Sequence, residues 1–350
     1  MSNKEYYLSN ANFSELVKKL LAEARVIAPV EFNGRNILEE IREDSISNIN
    51  LSGYRTVESF KSYIFKLIEQ VSSYFGTDIS PKPPKYVFLG ARGCDTSSIE
   101  VLDNVYLEGP LKDTFYEANR KNITIISADC ADCGKTCFCT MVNGKPYAIK
   151  MFDLNFSPMP NGFLVEVGSD RGREIVDKNP GLFTDAEAGM GKEKVVNRQK
   201  VLDRLAEINA GFKLKLELCE IHKRNIENKY WKVLTKDCVE CSACNFICPT
   251  CTCFVLLDHK TTEGGKRDKV WDACLKSGYA KVAGGANARG KLYERLQNRY
   301  QCKFDYSYDR QGRYTCVGCG RCIDGCAGNI DMRKIFVELE RQVPLTAKLK

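Results

Sequence analysis

Two cysteine strings constrain this chain more than any other feature. Cys238-x2-Cys241-x2-Cys244-x3-Cys248 and Cys316-x2-Cys319-x2-Cys322-x3-Cys326 share one spacing. Two intervening residues let three successive sulfurs wrap a single cubane. The fourth cysteine, one residue further on, points away and serves a neighbouring cluster. The spacing therefore assigns Cys238, Cys241, Cys244 and Cys326 to one 4Fe-4S cluster, A. Cys316, Cys319, Cys322 and Cys248 go to a second, B. Neither half is expected to fold well without the other. Structural zinc fits poorly, because zinc motifs favour two-cysteine knuckles separated by longer loops.

The remaining composition fits metal ligation better than cross-linking. Eighteen cysteines in 350 residues would suggest disulfides in a small secreted chain. Here they cluster at gaps of two and three residues, behind an N-terminus, "MSNKEYYLSN", that lacks a basic flank and apolar segment. No apolar run is long enough to span a membrane. A cytoplasmic location and no membrane partner are the expectations. The formal charge of +7 counts every cysteine as neutral. Two oxidised cubanes with four thiolates carry about −2 each, which leaves an excess of about +3. Few aromatics interleave the basic stretches, so no nucleic-acid partner is expected. His222 and His259, the two histidines, read as surface or cap residues.

The N-terminal half reads as mixed α/β. "NFSELVKKLLAEARV", residues 12 to 26, is an amphipathic helix with Asn12 as cap and Glu15 three places later. "KYVFLGARGCD" and "NITIISADC" are short apolar runs separated by a stretch long enough for a helical crossover. Strand, helix, strand implies parallel pairing, and it puts Cys94 and Cys130 at neighbouring C-terminal strand ends, where open α/β sheets build sites. "ADCGKTCFCT" follows with Cys133, Cys137 and Cys139. Cys94, Cys130, Cys137 and Cys139 are candidate ligands of a third cluster, with Cys133 spare; buried thiols are the alternative. The Cys-x-Cys pair is a tight bite for two corners of one cubane. "NGFLVEVGSDRGREIVDKN" reads as a β-hairpin. "TDAEAGMGKEKVVNRQKVLDRLAEI" reads as a helix opened by a Thr184/Glu187 capping box.

Its "GMGK" lacks the spacing and the Ser or Thr of a phosphate loop, and no Gly-x-Gly-x-x-Gly fingerprint occurs. No nucleotide or flavin motif is present, and no catalytic acid–base constellation stands out. The insertion between the two cysteine motifs is long for a small ferredoxin and suits a helix at Leu292, Leu296 and Tyr300. It could cover the clusters or offer a docking face; its arginines and lysines read as a solvated helix face. Cys251, Cys253, Cys274 and Cys302 fall outside both motifs. They are four, the number a further cluster needs, but their spacing follows no rule. They are taken as buried thiols shielding the known clusters.

The fold class expected is α+β or α/β. A mixed α/β domain with the additional site spans 1–225, and a two-cluster ferredoxin-like domain with a long insertion spans 226–350. The strings "CPTCTCF", "WDAC", "AGGANARG" and "CVGCGRCIDGC", with "LDNVYL" and "CFC" earlier, resemble the iron–sulfur β-subunit family of cytoplasmic sulfhydrogenases, which includes the equivalent subunit of anaerobic sulfite reductase. "GFLVEVGSDRGREIVDKN" resembles the sulfhydrogenase branch. The resemblance covers most of the chain. It implies a non-catalytic electron-transfer subunit of a hetero-oligomeric oxidoreductase. A flavin-containing, NAD(P)H-reactive partner would stand on one side, and a nickel–iron hydrogenase or sulfite reductase catalytic subunit on the other. A self-contained reductase is the competing reading. The chain departs from the family pattern at Ala327, where proline usually follows the last motif cysteine.

Overall fold

The computed structural model describes residues 4–74, 79–262 and 264–343. Its strands are β1 (Glu5–Ser9), β2 (Arg25–Phe32), β3 (Arg35–Glu40), β4 (Ile68–Tyr74), β5 (Tyr86–Ala91), β6 (Ile123–Ala128), β7 (Leu154–Met159), β8 (Gly162–Val167), β9 (Thr184–Asp185), β10 (Phe254–Thr261) and β11 (Gly264–Trp271). Eight of them form one mixed sheet in the order β3-β2-β5-β6-β7-β8-β1-β9. The central strands β2, β5, β6 and β7 run parallel, and the flanking pairs are antiparallel. Both faces of the parallel core are covered, so its strands are apolar on both sides. Val26, Ala28, Val87, Leu89 and Ile126 face one core, with the helix Asn10–Glu23. Ile27, Phe88 and Ile125 alternate to the other, against Leu102 of the crossover helix Gly93–Tyr106.

The strand–helix–strand reading of the cysteine-bearing segment is what the structure shows. β5 and β6 pair directly in parallel, Tyr86 opposite Ile123. Three local expectations are corrected. The first helix spans Asn10–Glu23 and is capped by Ser9, whose side chain accepts from Asn12 N at 3.2 Å, while the Asn12 amide donates to Leu182 O at 2.8 Å. "REIVDKN" is no strand: β8 pairs with β7 before it, and Ser169 caps the helix Asp170–Asp177 by accepting from Gly172 N at 3.1 Å. Thr184 starts no helix, because it pairs with Tyr7 at the sheet edge; the helix Met190–Ile208 begins after Gly189, whose φ of +105° ends the preceding segment.

The C-terminal part surrounds the second cysteine motif with short helices and the helix Leu292–Gln301. A separate three-stranded sheet, β10-β11-β4, holds the insertion hairpin. Its outer member β4 comes from the N-terminal half, so the insertion is stitched to the α/β part by backbone pairing. Lys269 of β11, buried, bridges Glu69 at 3.0 Å and Asp113 at 2.8 Å.

The two halves also interlock at Gly318 and Gly320, both with positive φ. A Cβ on Gly320 would stand 2.2 Å from Thr136 O, and one on Gly318 2.5 Å from the Cys139 Cα. Phe138 N donates to Gly318 O at 2.8 Å across the same seam. Gly320→Ala combines left-handed strain with a backbone clash, an expected loss of about 2–4 kcal/mol. A lower urea midpoint for iron release, against wild type, checks it.

Candidate metal centres

No disulfide joins any of the eighteen cysteines, all of which lie among the described residues. Their distribution groups them. Cys238, Cys241, Cys244 and Cys326 line one cavity, beside Cys322 and under Leu296 and Tyr300. The short helix Ala243–Phe246 follows two left-handed residues, Glu240 and Ser242, which coil the loop so that successive sulfurs turn inward. Cys326 Sγ accepts from Ile330 N at 3.3 Å, in the local turn where Ala327 replaces the family's proline.

Cys248, Cys316 and Cys322 are felt by one another. Burial pushes the Cys316 thiol up to about 12, with the nearby Cys322 and Cys248 charges adding and Lys303 opposing. Burial pushes Cys322 up to about 11, with Arg299 opposing and Cys319 and Cys248 adding. Burial keeps such thiols protonated, so they become ligands only where a metal takes the proton's place. Among the described residues, no three His, Cys, Asp or Glu side chains close around a single ion. A cubane instead spreads its four ligands over separate corners.

Cys94, Cys130, Cys133, Cys137 and Cys139 line a further cavity, shared with Cys319 of the second motif. Cys94 is the second residue of the helix after β5, and Cys130 lies two residues past β6, as the topology requires. Burial is the chief cause of the raised thiols here, to about 12 at Cys139, with Cys137 next. Burial pushes Cys133, which is only partly buried, to about 11. The N-terminal cavity and the second motif therefore meet at Cys319.

Sequence reasoning missed the cations around these sulfurs. Arg321, fully buried, pairs with Asp95 at 2.9 Å and donates to Thr56 O at 3.1 Å beside Cys94 and Cys319. Arg55 donates to Cys319 O and pairs with Asp324. Arg299, expected on a solvated face, is 3% exposed; its guanidinium donates to Cys244 O at 3.1 Å, and its Nε has no partner among the described residues. Arg295 and Lys303 on the same helical run are equally buried, which corrects the solvated-face expectation for this segment. His222 is buried as well, its Nδ1 3.3 Å from Asp305 Oδ2, so it is no surface residue; burial lowers its pKa, with Asp305 opposing. An orphaned buried guanidinium nitrogen facing sulfur is costly in an apoprotein. Anionic iron–sulfur clusters at those sulfurs would satisfy it. The donor set therefore fits such clusters. No signal in a single sequence distinguishes these cations from surface ones.

These features define a dicluster iron–sulfur protein built onto an α/β sheet. The 4Fe-4S dicluster domain family matches residues 237–330. The chain is 30% identical over 335 residues to the Sulfhydrogenase 2 subunit beta of Pyrococcus furiosus, an alignment spanning 95% of this chain and 97% of that protein. The chain belongs to the iron–sulfur β-subunit family of sulfhydrogenases, and it is an iron–sulfur electron-transfer subunit of a hydrogenase-related oxidoreductase. No helix among the described residues is long and apolar enough to cross a membrane.

Proposed function

We propose that this chain relays single electrons between a flavin-containing, NAD(P)H-reactive subunit and a catalytic subunit of nickel–iron hydrogenase type. An anaerobic sulfite reductase partner is the second reading, favoured by the same family strings. In this proposal Cys238, Cys241, Cys244 and Cys326 hold cluster A. Cys316, Cys319, Cys322 and Cys248 hold cluster B. Cys94, Cys130, Cys137 and Cys139 hold a third cluster in the 1–225 domain, joined to the 226–350 domain through Cys319. Such clusters supply one-electron steps, with potentials set by hydrogen bonds to sulfur, nearby charge and exposure.

The observation that carries the reading is continuity. The N-terminal cavity shares Cys319 with the second motif, and Cys322 of that motif borders the cavity of the first. The chain's own residues do the remainder: Arg321, Arg55 and Arg299 place positive charge beside the sulfurs, which favours the reduced, more negative state. Capture of the complex from the native host tests the partner. Recovery with a nickel–iron large subunit supports the first reading, a sirohaem protein the second, and neither overturns both.

The insertion hairpin provides a docking face for a neighbouring subunit. β10 is an edge strand whose every residue is exposed, and it opens Phe254-Val255-Leu256-Leu257 directly after Cys253. Apolar edges of this kind are aggregation hazards unless a partner pairs with them. The occupant proposed is an apolar strand or face of a neighbouring subunit in the complex. Replacing both Leu256 and Leu257 by Lys is expected to weaken that assembly by about tenfold or more, while the iron content of the isolated chain stays the same. Co-purification yield and iron assay read the two effects separately.

A further inference from the structure

Cys251, Cys253, Cys274 and Cys302, four of the cysteines outside both motifs, do not scatter through the core; the fold gathers them at the base of the β10–β11 hairpin. Asn245 is the clearest marker. Its buried amide nitrogen lies 3.2 Å from Cys274 Sγ and 3.9 Å from Cys251 Sγ, so it donates toward two sulfurs from distant parts of the chain. The Cys253 loop is tied to "WDAC" by Asp272 N donating to Cys253 O at 2.9 Å. Cys253 Sγ lies 3.5 Å from Tyr279 Oη. Cys302 lies within electrostatic reach of Cys253. It opens a π-helical turn, Cys302–Tyr306, inserted into an otherwise α-helical run, a distortion that often marks functional positions. The charges of Cys253 and Cys302 bear on Cys274, and those of Cys253, Cys274 and Cys302 all bear on Tyr279.

The cations around this group lack anions. Lys61, Arg299 and Lys303 are 4%, 3% and 3% exposed. None has a carboxylate partner among the described residues. Lys303 Nζ donates to Thr250 Oγ1 at 2.9 Å. Lys61 Nζ stands 3.3 Å from Cys251 O and 3.7 Å from the centre of the Trp271 ring. Three unpaired buried cations require compensating negative charge. Cluster B brings about −2, and a thiolate at Cys251 adds negative charge beside Lys61.

We propose that Cys251, Cys253, Cys274 and Cys302 hold a further 4Fe-4S cluster, adjacent to cluster B through the Cys248–Cys251 segment and next to the exposed docking strand. The proposal rests on the iron–sulfur reading above and reverses the expectation that these are shielding thiols. The site would exchange one electron with cluster B, one cluster being oxidised as the other is reduced, with no proton or bond change. Its place beside β10 makes it the terminal station toward the docked subunit.

The test uses the full chain purified without oxygen, with iron and acid-labile sulfide counted per chain. Four clusters predict about sixteen irons, at four per cluster. Cys274→Ser and Cys302→Ser are each expected to lose about four, whereas Cys94→Ser loses a different four, so Cys94→Ser with Cys302→Ser loses about eight. Cys302 is exposed, so its serine variant tests the ligand without a core defect. As a second readout, Cys302 should resist iodoacetamide in the iron-loaded protein and react after a chelator strips the iron. Unchanged iron in both Cys274→Ser and Cys302→Ser, or full alkylation of Cys302 at full iron content, overturns the proposal. In that case the dicluster signals survive and the wider reading stands. Zinc without iron in the wild type instead defeats that reading itself.

Discussion

Cys248→Ser is expected to abolish or convert the cluster held by Cys316, Cys319 and Cys322, and to leave the one held by Cys238, Cys241 and Cys244 in place. The cysteine lies in the first motif by sequence, so a reading without crossover predicts the opposite. The physical case is positional. Cys248 follows the helix Ala243–Phe246, is buried, and contributes to the raised thiols of Cys316 and Cys322. The neighbouring Cys251, with Lys303 and Arg299, holds the Cys248 thiol well below the ordinary range against the effect of burial. Serine is a poor iron ligand, and the variant should lose one cubane's electron paramagnetic resonance signal, or convert it to a three-iron form. Loss of the Cys238 signal alone would refute the crossover.

Arg321→Ala is expected to cost about 3–5 kcal/mol, the range for removing one partner of a buried ion pair. Arg321 and Asp95 are both essentially inaccessible, at 0% and 1% exposure. Asp95 also accepts from Arg92 N at 3.1 Å as part of the first turn of its helix. Without the guanidinium, a carboxylate one residue from Cys94 is left buried and uncompensated, beside anionic sulfur. The same change removes the donor to Thr56 O and loosens the seam between the second cysteine motif and the N-terminal half. Arg341→Ala is the control: Arg341 pairs with Glu338 at 2.6 Å on the surface, and such pairs contribute about 0–1 kcal/mol. Thermal or urea unfolding under anoxic conditions measures the difference. Equal stability of the two variants would contradict this account of the seam.

What was legible in the sequence was what short-range spacing encodes. Three cysteines at two-residue gaps wrap a cluster whatever surrounds them, and two apolar runs separated by a crossover length pair in parallel almost by necessity. Element boundaries were harder. The Thr184/Glu187 pattern satisfies a capping box in isolation, yet Thr184 is taken by strand pairing with Tyr7, a contact 177 positions away in the chain. "REIVDKN" alternates like a strand, but Ser169 and the end of the β7–β8 pairing commit it to a helix. Least legible were the buried cations and the leftover cysteines. Lys61, Arg299 and Lys303 look like any surface lysine or arginine until helix, hairpin and loop meet around Cys251. Cys251, Cys253, Cys274 and Cys302 span about fifty positions, and only the fold makes them neighbours.

The most direct measurement is the metal inventory of the anoxically purified chain, taken together with low-temperature electron paramagnetic resonance after dithionite reduction. The account predicts iron and sulfide in equal amounts, at least about eight of each per chain, and several interacting reduced cubane signals. Stoichiometric zinc with no iron, or a single isolated cluster signal, would contradict it.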